Sequence, residues 1–169
     1  ALPARSEMCI RDSYNAGHLH GVWIDATLEL GDIQAQVDAM LAASPVEGAE
    51  EYAIHDFEGF DGYRLGEYEG LENAREIACF IEEHPEFGGA LLAHFNDLEQ
   101  ARKAVEEDYC GCYNSLADYA QELTEETTSI PQHLAMYIDY RAMARDMEYS
   151  GDVFTLETGL EQVHVFWNR

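Results

Sequence analysis

The clearest pattern of apolar and polar positions runs through residues 129–152, SIPQHLAMYIDYRAMARDMEYSGD. Met136, Tyr140, Met143 and Met147 follow one another at steps of four, three and four, with Ile138, Ala142 and Tyr149 beside them. Pro131 suits a first helical turn, where its missing N–H is not needed, and Gly151 suits a left-handed helix end. One long helix is predicted here, with an apolar face to bury. The same spacing predicts a helix over 31–43, with Ile33, Val37, Met40 and Leu41 inward and Pro45 ending it. Three more follow over 71–83, 87–95 and 97–107. Leu71, Ala74, Ile77, Ala78 and Ile81 face the core in the first of these, and Leu98, Ala101 and Val105 give the last a thinner face. Ser115 opens a further helix to about residue 124, with Asp118 completing a reduced capping box.

Shorter alternating runs read as strands. Leu19, Val22 and Trp23 suggest a loop and short strand within 13–25, and Tyr52, Ile54 and Phe57 a strand and its exit. Residues 109–114 alternate aromatic and small side chains. VFTLE and VHVFW, separated by Thr158-Gly159, read as a hairpin. The fold class is therefore α+β, and the glycine- and acid-rich stretch 59–70 marks a boundary. Three small domains are expected: an α+β domain over 1–62, a small helical domain over 63–107 and an α+β domain over 108–169. The opening ALPARSEMCIRD is mixed and polar and holds two of the nine basic residues. It reads as a candidate foreign leader, such as a translated sequencing adapter, and leaves a first strand in doubt.

Charge sharpens the picture. Thirty-four Asp and Glu against nine Lys and Arg give 169 residues a formal net charge of −25. Such a field repels nucleic acid and anionic membrane and attracts basic grooves. A hydrophobic share of 47% still argues for a folded chain. Neither a secretory leader nor an apolar run of membrane-spanning length is visible, and the scattered Cys9, Cys79, Cys110 and Cys112 read as reduced thiols, so a cytoplasmic protein is expected.

Between Asp12 and Tyr63 there is no lysine or arginine, only acids. Neighbouring acids on a helix face lie about 5 to 6 Å apart, comparable to neighbouring phosphates on a duplex. Asp25, Glu29, Asp32, Asp38, Glu47, Glu50, Glu51, Asp56, Glu58 and Asp61 are candidates for such a surface. Glu67, Glu69, Glu72, Glu76, Glu83, Glu99, Glu106, Glu107, Asp108, Asp118, Glu122, Glu125 and Glu126 would continue it. The plainer reading is a solvated face. Because charges must run along a length, an elongated molecule is expected.

Catalytic chemistry finds no foothold. There is no G-x-S-x-G elbow, no H-E-x-x-H, no phosphate-binding glycine loop and no dinucleotide fingerprint. His55 and Asp56, adjacent on a strand, would point to opposite faces. His18 with His20, and Cys110 with Cys112, are each a pair without further ligands, so surface or packing histidines and buried thiols are expected rather than metal. No enzyme and no cofactor is expected.

Several blocks together resemble the ArdA family of antirestriction proteins. They are YNAGHLHGVWID from Tyr14, MLAASP from Met40, EEYAIHDFEGF from Glu50, YCGCYNSLADYAQE from Tyr109, and the stretch 129–152, in the family's order. The resemblance implies small acidic proteins of bacterial mobile elements that imitate duplex DNA. As such they occupy the methyltransferase core of type I restriction-modification enzymes. It also implies three domains, an elongated shape, and a homodimer formed by the C-terminal domain that holds the antirestriction motif. Met136, Tyr137, Asp139, Tyr140, Arg141, Met143, Ala144, Arg145, Asp146 and Glu148 are the residues of that motif. Arg141 and Arg145 are the only cations between Ala104 and Asn168, and would offset repulsion between acidic protomers or pair within the chain, as Arg145 with Glu148. Two rivals stand beside mimicry: salt adaptation, and an acidic adaptor or chaperone for basic DNA-binding proteins without duplex geometry.

Overall fold

Residues 7–12, 20–46 and 51–169 are described by the computed structural model, Asp12 by its backbone alone. They form two three-stranded antiparallel sheets, seven helices and one π turn. The chain divides into two compact units, 1–96 and 97–169.

In the first unit, strands β1 (Glu7–Asp12), β2 (His20–Asp25) and β3 (Ala53–Glu58) lie in the order β2-β1-β3. The polar opening, where a first strand was in doubt, supplies the central one. Met8, Cys9 and Ile10 are all buried, as a strand covered on both faces requires. Residues 1–6, the rest of the candidate leader, lie outside the described residues. Helix α1 (Leu30–Ala42) packs on β2 and buries Ile33, Val37 and Met40, three of its four expected core positions. Helix α2 (Leu71–Glu83) has the limits its spacing predicts and buries Leu71, Ala74, Ile77, Ala78 and Ile81, with Phe80 besides. Arg75 ties α2 to the start of α1: its Nε donates to the Leu28 carbonyl at 2.6 Å and its guanidinium pairs with Glu29 at 3.1 Å. Helix α3 (Gly88–Phe95) packs against α2. Stretch 59–70 lies inside this unit, with Phe60 and Leu65 buried.

The second unit opens with α4 (Leu98–Lys103), capped by Asp97, whose side chain accepts from Gln100 N–H at 2.8 Å. The helix expected over 97–107 is α-helical only to Lys103. It then widens into the π turn Ala104–Asp108, and Ala101 and Ala104 are buried while Val105 is half-buried. Strands β4 (Tyr109–Tyr113), β5 (Val153–Gly159) and β6 (Gln162–Trp167) form the sheet β4-β6-β5. The expected hairpin is present, but its loop is Leu160-Glu161, two residues beyond Thr158-Gly159, with Glu161 at φ 58°. Helix α5 (Leu116–Thr127) begins at Ser115, whose hydroxyl accepts from Asp118 N–H at 3.2 Å, and runs three residues past its expected end.

The single helix expected over 129–152 is two. Pro131, with ψ 131°, is not helical but precedes the four-residue α6 (Gln132–Ala135). Asp139 then caps α7 (Tyr140–Ser150), accepting from Arg141 N–H and Ala142 N–H at 3.1 and 3.0 Å. Gly151, at φ 76°, ends α7 as expected. The apolar face is split by the break. Met143 and Met147 pack with Ala144 on the core of Leu116, Tyr119, Ala120, Val153 and Val165, whereas Met136 is 79% exposed.

Candidate functional site

Two sets of residues are candidates for function: the acids spread over both units and the segment 132–150. Among the acids, Glu29, Asp32, Asp38, Glu51, Asp56, Glu58, Asp61, Glu67, Glu72 and Glu83 are exposed in the first unit. Glu99, Glu106, Glu107, Asp118, Glu122, Glu125 and Glu126 are exposed in the second. Asp25, Glu69 and Glu76 are half-buried, and Glu47 and Glu50 lie outside the described residues.

Some of these carboxylates also hold local structure. Asp25 accepts from the Thr27 N–H and hydroxyl at 2.9 and 2.7 Å, fixing the turn after β2. Glu122 accepts from the Tyr113 hydroxyl at 2.8 Å, which links β4 to α5. Burial, with that hydrogen bond to a carboxylate, pushes the Tyr113 phenol up to about 12, and burial likewise raises Tyr119 beside it. Asp108 is half-buried, its side chain 12% exposed, with Arg169 Nε 3.6 Å from Oδ1. Exposed pairs join Arg102 to Glu99 and Lys103 to Glu107 at 3.6 and 3.8 Å, and screening leaves such pairs worth little.

In the segment 132–150, Leu134, Met136, Tyr137 and Tyr149 are exposed, and Tyr140 and Met143 half-buried. Asp139, Arg141, Arg145, Asp146 and Glu148 are exposed, and Ala144 is buried. Neither arginine forms an ion pair among the described residues; Glu148 accepts instead from the Thr155 hydroxyl at 3.3 Å. The segment thus presents apolar side chains and two cations side by side in a chain otherwise rich in anions.

The pairs weighed for chemistry resolve individually. His20 Nε2 lies 2.9 Å from the Met40 carbonyl, a packing histidine, while His18 is outside the described residues. Strand alternation would point Cys110 and Cys112 the same way, but Cys110 is the extra residue of a β-bulge before Gly111, which has φ 123°. Neither thiol is buried as expected: Cys110 is half-buried, its Sγ donating to the Asp108 carbonyl at 3.4 Å, and Cys112 is exposed. A second bulge falls at His55, opposite Cys9 and Ile10, so strand alternation fails there and His55 and Asp56 are both exposed. No group of three or more His, Cys, Asp or Glu among the described residues is placed to hold a metal ion. No helix among them is long and apolar enough to cross a membrane.

Two residues escaped the sequence patterns. His164 is buried on the central strand β6, its ring nitrogens 2.9 Å from the Tyr109 hydroxyl and 3.1 Å from the Thr158 hydroxyl. Tyr68 is 84% exposed on a turn of glycines and acids, where a lone aromatic residue was the available signal.

Exposed acids thus occur on elements of each unit, and exposed apolar side chains lie in the segment 132–150. The chain belongs to the antirestriction protein (ArdA) family, whose family model matches residues 11–162. Antirestriction is thus its function, as an inhibitor rather than an enzyme. No curated protein matches the sequence.

Proposed function

We propose that this protein blocks type I restriction-modification enzymes by standing in for duplex DNA in the basic groove of their methyltransferase core. The observation that carries the reading is the exposure of acids on elements of both units at a net charge of −25. On α5 the acids Asp118, Glu122 and Glu126 recur every fourth residue, a rise of about 6 Å per step. A groove lined with Lys and Arg gains affinity by neutralising phosphates spaced at comparable intervals, so carboxylates so arranged compete for it. Inhibition then needs no bond to be made or broken. The complex forms in the bacterial cytoplasm and involves neither nucleic acid nor membrane on the inhibitor's side.

The mimic is an elongated homodimer in this reading, with three small domains per chain over 1–62, 63–107 and 108–169. The segment 132–150 forms the dimer contact. Exposed Leu134, Met136 and Tyr137 supply apolar area there, and Arg141 and Arg145 offset repulsion between protomers. R141E is expected to halve the mass seen by light scattering at micromolar protein; an unchanged mass removes that role.

The test of mimicry is displacement of fluorescent DNA from a purified type I methyltransferase complex at two salt concentrations. Stoichiometric displacement that weakens with salt is the expected result. A folded protein that displaces nothing, or that binds polycations equally well, refutes it.

A further inference from the structure

Most exposed large apolar side chains have a place in what precedes. Leu134, Met136, Tyr137 and Tyr149 belong to the segment 132–150, Trp23 lies on β2 and Leu160 in the β5–β6 loop. Tyr68 stands apart, 84% exposed between two glutamates.

Its backbone is fixed on both sides. Glu69 N–H donates to the Gly66 carbonyl at 3.0 Å, closing a β-turn with Glu67 and Tyr68 at its central positions. Upstream, Ile54 N–H of the edge strand β3 donates to the Glu67 carbonyl at 2.9 Å. Downstream, Ala74 N–H donates to the Gly70 carbonyl at 2.9 Å, the first bond of α2, and Asn73 donates a short hydrogen bond to the Glu69 carboxylate. The turn is ordered before any partner arrives, so little conformational freedom is left to lose on binding.

A ring displayed on a rigid turn has one contact chemistry that its surroundings favour. The face of an aromatic ring attracts a Lys or Arg side chain at contact distance, and the adjacent Glu67 is exposed to draw a cation in. Tyr side chains carry large contact area at low entropic cost, which is why they dominate the binding energy of many interfaces. We infer that Tyr68 anchors an arginine or lysine of the basic groove, so that the mimic binds by ring contact as well as by charge. The inference rests on the proposed function. It adds a component that salt does not screen, because the ring acts at contact while carboxylates act across a Debye length.

The same DNA-displacement assay tests it with Y68A, Y68F and Y68K. Each variant should melt with the unaltered protein, since so exposed a side chain contributes little to the fold. Y68A is expected to displace DNA roughly three- to thirty-fold less well, by the same factor at both salt concentrations. Y68F keeps the ring and should stay within about twofold of the unaltered protein, and Y68K, setting a cation against cations, should lose more than Y68A. Y68A acting like the unaltered protein, Y68F as weak as Y68A, or Y68K as strong as the unaltered protein each overturns the anchor while leaving mimicry intact. Failure of the unaltered protein to displace DNA overturns mimicry and the anchor together.

Discussion

Gly31 and Gly89 both sit in helices, and replacing each with alanine should move stability in opposite directions. A Cβ at Gly89 would stand 2.5 Å from the Asp61 carbonyl oxygen, 2.6 Å from Asp61 Cβ and 2.7 Å from the Phe60 carbonyl oxygen. Two of these are main-chain atoms. The loop that carries them cannot easily retreat, because Phe60 is buried and Asp61 is already held at φ 44°. Overpacking of this kind costs about 1–3 kcal/mol, against a gain of up to about 1 kcal/mol in helix propensity. Contacts this short belong to the upper part of that range, so a net loss of about 1–2 kcal/mol is expected. At Gly31 a Cβ meets nothing within 4 Å, and the propensity gain stands alone. About 1 kcal/mol corresponds to about 4–8 °C for a domain of this size, so G89A should melt some 4–16 °C lower and G31A a few degrees higher. The two tryptophans separate the readout, since Trp23 lies in the first unit and Trp167 in the second. Fluorescence melting in a W167F background follows Trp23, and in a W23F background Trp167. A G89A protein whose Trp23 transition coincides with that of its parent refutes the close approach of α3 to the 60–61 loop.

Asp139→Ala removes the acceptor of two N–H groups at the start of α7 and should cost about 0.5–2 kcal/mol, read from the urea midpoint of the Trp167 signal; an unmoved midpoint rules out the cap. Gly151→Ala forces a side chain onto φ 76° and should cost about 1–2 kcal/mol in the same assay, with Gly151→Asn costing less. Tyr113 is favoured in its neutral form, so its contribution is whole below the ordinary phenol value of 10.0 and is lost as pH rises from there to about 12. Ultraviolet titration of tyrosinate in the folded protein should lose one late transition in Y113F while that of Tyr119 remains, and an unchanged titration in Y113F would refute the burial of Tyr113 against Glu122.

What the sequence made legible depended on whether a local pattern met a single competing force. In α2 the apolar spacing runs unbroken from Leu71 to Ile81 and His84-Pro85 stops it, so its limits could be read directly. Over 129–152 the apolar spacing carries on through a real break, because steps of three and four do not register that Asp139 has turned its carboxylate back to cap a new helix. The bulges at His55 and Cys110 were hidden for a related reason: alternation assumes one residue per partner, and a bulge inserts an extra one. β1 lacks an alternating pattern because side chains on both of its faces are covered, Met8, Cys9 and Ile10 all being buried. Of the candidate site, the acids and the two arginines were visible as composition. That Arg141 and Arg145 make no ion pair among the described residues, or that Tyr68 rides on a pinned turn, depends on which distant segments meet.

The shortness of α6 has a consequence in time as well as in space. Its four residues include none that is buried, and the bonds around it, Leu134 N–H to the Pro131 carbonyl and Tyr137 N–H to the Leu134 carbonyl, are of the tight 3₁₀ kind. A helix this short is not stable on its own in water. The amide protons of 132–138 should therefore exchange with solvent early, long before those of α5 or β6, whenever that surface is uncovered. Covering it should slow them together, so that their exchange rate becomes a clock for how long the segment stays engaged.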